Sequence, residues 1–177
     1  DHQDWLGDTR EKIAVEKAGI IRHGGKVVIG EPEPPHTLRE AVKLLNADAW
    51  WQGQEFSIAR STDGTVTFNA AKQTLELSDT AIPLNNVATA LAVLKHAGFT
   101  VSDATMQRAV ANTQLPGRRQ LIAKHPATYL DVGHNPQATE SLAEWLDSKT
   151  FKQLHIVVAM LNDKAPAASL APFKRFA

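Results

Sequence analysis

The sequence contains no cysteine. Disulfides and thiolate metal sites are therefore excluded, which fits a reducing cytoplasm. It also has no net charge, with 19 Lys and Arg against 19 Asp and Glu. Binding nucleic acid or an anionic membrane surface usually needs a basic face, and nothing in this balance favours either role. No apolar run approaches the roughly 20 residues of a membrane span. The opening residues DHQDWLGDTR lack an initiator methionine, a basic start and the apolar stretch of a signal peptide. The closing residues APFKRFA stop within an amphipathic pattern, with no helix-stop signal. Both ends read as cuts, so the chain is read as a fragment of a cytoplasmic protein. No internal repeat or low-complexity tract is present.

Hydrophobic residues make up 43% of the 177 positions, enough for a packed core. Length alone suits one domain or slightly more. Asp8 and Glu11 have capping-box spacing, which predicts a helix over 9–17 that Gly19 ends. Residues 26–30 predict a short buried strand, and the proline-rich 31–35 a loop. A helix is predicted over 37–46. Residues 49–78 alternate and are rich in Thr, Val, Phe and Trp, which predicts antiparallel strands with a hairpin turn at Asp63-Gly64. Residues 86–96 are apolar all round and predict a buried helix. Residues 102–112 predict an amphipathic one. Gln114-Leu115-Pro116-Gly117 is the best linker, dividing a region 1–112 from a region 113–177. Beyond it strands are predicted over 121–124, 128–132 and 155–160, with helices over 136–146 and from 165 onward. Strand alternating with helix argues for a parallel α/β sheet.

Four places carry chemistry. His2 and Lys17 are the first. Taken alone, Lys17 near a helix end complements the helix dipole, and His2 is a solvated histidine. The second is Tyr129-Leu130-Asp131-Val132-Gly133-His134-Asn135-Pro136. There an apolar strand ends in an acid, and a helix starts at an Asn cap followed by Pro. Ligands of open α/β sheets bind beyond the carboxyl ends of strands. Asp131 could accept from ribose hydroxyls, and a helix amino terminus suits phosphate. Asp131 with His134 is more than a cap requires. The third is Leu115-Pro116-Gly117-Arg118-Arg119, where glycine admits close approach and arginine binds phosphate, or else the segment is a hinge with solvated arginines. The fourth is Asn86, a helix-start residue that is either a cap or a reader of an adenine edge.

The order of these segments is more specific than any one of them. Asp1-His2, Asp4-Trp5-Leu6-Gly7, Glu16-Lys17-Ala18-Gly19-Ile20, Asn86-Val87-Ala88-Thr89-Ala90, Leu115-Pro116-Gly117-Arg118, Asp131-Val132-Gly133-His134-Asn135-Pro136 and Met160-Leu161-Asn162-Asp163-Lys164 follow one another along the chain. The series resembles the folylpolyglutamate synthase/dihydrofolate synthase family of the Mur-ligase superfamily, the bacterial bifunctional type in particular. The resemblance implies an α/β fold: the second half of a Mur-ligase-type ATPase domain, then the start of a Rossmann-like domain that closes over nucleotide. It implies a cytoplasmic, monomeric, ADP-forming ligase using ATP and Mg²⁺. Its substrates would be dihydropteroate or a folate, and L-glutamate, joined through an acyl phosphate; nucleic acid and membrane are not expected partners.

Carried over by position, His2 and Lys17 match metal-binding residues, Lys17 as a carbamylated lysine. Asn86, Arg118 and Asp131 match ATP-binding positions, and His134 lies in the same loop beside nucleotide or phosphate. The family's Gly-rich phosphate loop and its upstream magnesium-binding glutamate are not in the sequence. Ile82-Pro83-Leu84-Asn85 also departs from the pattern many members show before the asparagine. Two rival readings stand beside this one: another Mur-type amide ligase, and a nucleotide-binding fragment without catalysis, which is how the chain as it stands is expected to behave.

Overall fold

The computed structural model describes residues 9–78, 80–161 and 165–176. The chain forms two compact units that divide between Thr113 and Gln114.

The first unit opens with helix α1 (Arg10–Ala18). Its cap is Thr9, whose hydroxyl accepts from the Lys12 amide at 3.2 Å. The expected capping role of Asp8 lies outside the described residues. Glu11 does not close a box on its own helix but reaches a second one. Helix α2 (His36–Leu44) follows Pro35, which has no side-chain cap to offer. Glu11 supplies the missing acceptor, taking the amides of His36 at 3.2 Å and Thr37 at 3.0 Å and the Thr37 hydroxyl at 2.7 Å. An anion is favoured there because the first amides of a helix have no internal partner.

These bonds, those of Thr37 foremost, hold the Glu11 carboxyl below its ordinary value of 4.5. A lowered folded pKa contributes stability above the unfolded value that disappears as pH falls through the folded one. Glu11→Gln is therefore expected to destabilise the docking of α1 on α2 at pH 7. The gap from wild type should shrink steadily below about pH 4.5. Denaturant titrations at pH 7 and pH 3 measure it, and a gap that is equal at both would rule out the carboxylate.

Between the two helices lies β1 (Lys26–Ile29), which pairs in parallel with β2 (Asp48–Trp51). The expectation of an antiparallel meander starting at residue 49 is corrected here. β2 belongs to a strand–helix–strand unit, and α2 provides the crossover a parallel pair requires. Successive side chains of the pair face opposite ways. Ile29, with Val27 and Trp51, packs into a cluster with Ala18, Ile21 and Val42. Val28 and Trp50 pack into the other cluster, on helix α3 (Leu84–His96).

The rest of the meander is as expected: β3 (Phe56–Arg60), β4 (Val66–Ala70) and β5 (Gln73–Leu77) form an antiparallel sheet in sequence order. The β3–β4 turn places Gly64 at φ +90°, while Asp63 accepts from the Thr65 amide at 2.9 Å. Phe56, Val66, Phe68 and Leu75 pack with Val87, Ala88, Leu91 and Met106 from α3 and α4 (Asp103–Asn112). Only one face of α3 is buried. Val93 is 45% exposed, so the expectation of burial on all sides is corrected.

In the second unit, β6 (Gln120–Lys124) and β7 (Ala127–Leu130) form an antiparallel hairpin. The expected parallel arrangement is corrected: the connection, His125-Pro126, is far shorter than the dozen or so residues a parallel crossover needs. Helix α5 (Pro136–Asp147) starts where the Asn-Pro pair places it, and the Asn135 side chain accepts from the Ala138 amide at 2.9 Å. Residues 155–160 are not a strand. A strand is a pairing, and no described residue pairs with this run; Val157 is 97% exposed. A short helix α6 (Pro166–Leu170) and a 3₁₀ turn (Ala171–Phe176) complete the unit. Arg175 ties that turn to α5 by ion pairs with Glu140 and Asp147.

Candidate functional site

In the first unit, Lys17 lies in the last turn of α1 and is exposed. His2 lies outside the described residues. Among the described residues no three His, Asp or Glu side chains converge as a metal site. An ammonium repels a cation, so unmodified Lys17 is not a ligand.

Asn86 proves not to be the helix cap. Helix α3 begins two residues earlier, after Pro83, and Asn86 sits in its first turn with its amide bonded to the Pro83 carbonyl at 2.9 Å. Its side chain is exposed and makes no hydrogen bond among the described residues. Neighbouring Asn85 accepts from Gln52 at 2.8 Å, which ties the start of α3 to the end of β2.

The second unit brings Arg118, Asp131 and His134 onto adjoining segments. Leu115 to Arg119 form a reverse turn, with the Arg118 amide on the Leu115 carbonyl at 3.0 Å. Gly117 adopts φ +67° and Arg119 φ +43°, so two left-handed residues flank Arg118. The turn rests on the end of β7: the Val132 amide donates to the Gly117 carbonyl at 2.8 Å. Gly117 is buried there, and a Cβ on it would lie 2.7 Å from a Val132 methyl.

The Asp131 carboxylate holds two backbone segments. One oxygen accepts from the Arg119 amide at 2.9 Å, the other from the Gly133 amide at 2.7 Å. Each oxygen retains a second lone pair. The His134 Nδ1 lies 3.0 Å from the Val132 carbonyl and donates to it, which orients the ring.

The two arginines separate sharply. Arg118 is exposed, and among the described residues its guanidinium makes no hydrogen bond or ion pair. Arg119 is buried and donates to the Ser141 carbonyl at 2.7 Å and hydroxyl at 2.8 Å. Its guanidinium lies 5.6 Å from the Trp145 ring centre. The sequence did not separate Arg119 from Arg118: both stood as phosphate binders or as solvated arginines of a hinge. The missed signal was Trp145 on the inward face of a predicted helix, which a cation can cover.

This is an α/β fold, that of the carboxyl-terminal part of a Mur-ligase-type enzyme. The chain is similar over nearly its whole length to dihydrofolate synthase/folylpolyglutamate synthases. It is 39% identical to dihydrofolate synthase/folylpolyglutamate synthase of Escherichia coli, across 98% of this chain and 42% of that protein. The solved structure of the E. coli protein with DHPP and ADP superposes with a TM-score of 0.89 at 37% identity, across 99% of this chain and 42% of that one. A bifunctional folylpolyglutamate synthase/dihydrofolate synthase solved with Mn, AMPPNP and L-glutamate superposes at 0.86 and 34% identity, across 99% and 43%. No family model matches the sequence. The chain spans less than half the length of these relatives.

Proposed function

We propose that the protein is an ADP-forming ligase that joins L-glutamate to dihydropteroate or to a reduced folate, and that this chain carries part of its nucleotide site. The observation that carries the reading is the turn at 115–119. It leaves the Arg118 guanidinium without a hydrogen-bond or ion-pair partner among the described residues, beside a strand end and a capped helix start. That arrangement suits a phosphate-bearing ligand. The similarity to folate ligases across 99% of this chain, in structures holding ADP or AMPPNP, supports the same reading.

In the reaction, a substrate carboxylate oxygen attacks the γ-phosphorus of ATP and ADP departs. The amino nitrogen of glutamate then attacks the acyl carbon, phosphate leaves, and the nitrogen loses a proton. Such chemistry depends on positioning and on neutralising charge. We assign phosphate binding to Arg118, ribose contact to the spare lone pairs of Asp131, and a phosphate or nucleotide contact to His134. Asn86 is assigned to an adenine edge, since its amide offers donor and acceptor and no capping duty consumes them. Residues 1–112 would then be the later part of an ATPase domain, and residues 113–177 the beginning of a Rossmann-like one. Lys17 is assigned a carbamate, formed when its neutral amine adds CO₂ and a proton leaves. Only then does it offer oxygen to a divalent metal such as Mg²⁺, with His2 as a second ligand.

The test is a ligase assay on the full-length protein with ATP, L-glutamate and either dihydropteroate or tetrahydrofolate. One ADP is expected per amide formed, with neither product when glutamate is omitted. Lys17→Ala is expected to lower kcat on the order of a hundredfold with unchanged melting. Short carboxylic acids should restore part of it. ADP release that ignores both glutamate and the pterin would sink the reading. Turnover with a peptidoglycan precursor instead would favour another Mur-type ligase.

A further inference from the structure

The buried Arg119 is adjacent to the arginine assigned to phosphate, yet it points the other way and touches two other segments. Its backbone amide is held by Asp131 at 2.9 Å, from the end of β7. Its guanidinium is held by Ser141 at 2.7 and 2.8 Å, from the middle of α5. The ring of Trp145, one turn further along α5, lies beneath it at 5.6 Å, and Lys149 approaches the same ring at 5.2 Å. Tyr129 of β7 meets Trp145 edge-on, with ring centres 4.9 Å apart. So Arg119 links the turn, the strand end and the helix.

We propose that Arg119 is a positioning residue for nucleotide binding. It locks the turn so that Arg118 faces outward. Two features make the link necessary. Arg119 occupies a left-handed backbone conformation at φ +43°, which costs a non-glycine residue energy unless its surroundings impose it. The guanidinium is also removed from water, which is tolerated only where its donors are met and a π face covers it. Ser141 accepts twice from one guanidinium nitrogen and the Trp145 ring lies beneath the group, so the buried charge is anchored to α5 and the strained turn is held with it. The alternative is that Arg119 is a second, independent phosphate ligand. Its burial against α5 argues against that, because the groups it donates to belong to this chain.

The proposal rests on the assignment of Arg118 to nucleotide, and a double-mutant cycle in the full-length enzyme separates the two. Arg119→Met keeps much of the apolar bulk but loses the Ser141 bonds. It is expected to raise the KM for ATP about tenfold, equal to ~1.4 kcal/mol. The KM for L-glutamate should stay within about twofold. Because Arg119 acts through Arg118, the double variant Arg118→Ala/Arg119→Met should bind ATP no worse than Arg118→Ala alone. Losses that simply add would overturn the proposal and make Arg119 an independent ligand. An unchanged KM for ATP in Arg119→Met, with a raised one in Arg118→Ala, would overturn it while leaving the nucleotide reading intact. An unchanged KM in Arg118→Ala would remove both. Should Arg119→Met fail to fold, Ser141→Ala takes its place. That change removes one of the two anchoring bonds and should raise the KM for ATP roughly two- to threefold, again without adding to Arg118→Ala. No rise there would count as failure.

Discussion

Gly117→Ala should destabilise the second unit by about 2–5 kcal/mol. Two costs combine. A residue with a Cβ loses on the order of 1–2 kcal/mol in the left-handed region that Gly117 occupies at φ +67°. The new methyl would also sit 2.7 Å from the Val132 side chain, and overpacking of this kind costs about 1–3 kcal/mol. The turn cannot shift away freely, because the Gly117 carbonyl accepts from the Val132 amide and the Gly117 amide donates to Gln120 at 2.9 Å. Amide hydrogen exchange reads the two units separately. Protection should fall in residues 120–147 and stay unchanged around β4. Under the proposed function, the same substitution should weaken ATP binding by misdirecting Arg118. Wild-type protection throughout the second unit would mean that the turn yields more easily than its contacts imply.

The other large effect is expected at Phe68. This residue is fully buried at the centre of the three-stranded sheet, among Phe56, Val66, Leu75 and residues of α3 and α4. β4 pairs on both sides, so its backbone cannot slide to fill a gap. Phe68→Ala should therefore cost about 3–5 kcal/mol, the sum of lost transfer energy and an unfilled cavity. That is comparable to much of the stability of a small domain. Protection should drop across β3, β4, β5, α3 and α4 together, since these share one cluster. The hairpin of the second unit should be unaffected. A loss below about 1 kcal/mol would show that the helices collapse into the space, contrary to the dense packing expected of interiors.

The proposed site divides in the same way as these tests. The placement of Arg118, Asp131 and His134 was legible because local signals mark it: a glycine turn, a strand end, an Asn-Pro helix start. The division of labour between Arg118 and Arg119 was not legible. The two side chains are chemically identical, and only burial distinguishes them. Asp131 likewise reads as a ligand residue in the sequence. Its grip on the Arg119 and Gly133 amides depends on the turn folding back across the end of β7.

The sequence alone determined what short-range chemistry controls. Asp63-Gly64 turns its hairpin and Asn135-Pro136 starts α5, because each needs only neighbours within a few residues. The order of its motifs likewise sufficed to indicate the resemblance to folate ligases. Tertiary structure decided the pairings. β2 joined β1 rather than β3 because α2 carries the chain back across the pair. Glu11 capped α2 rather than its own helix because the proline before α2 left free amides within reach. Residues 155–160 have the composition of a strand but form none, because a strand exists only where a neighbour accepts its hydrogen bonds. Propensity is a property of a segment, whereas pairing is a property of two segments, and only the fold brings the second one near.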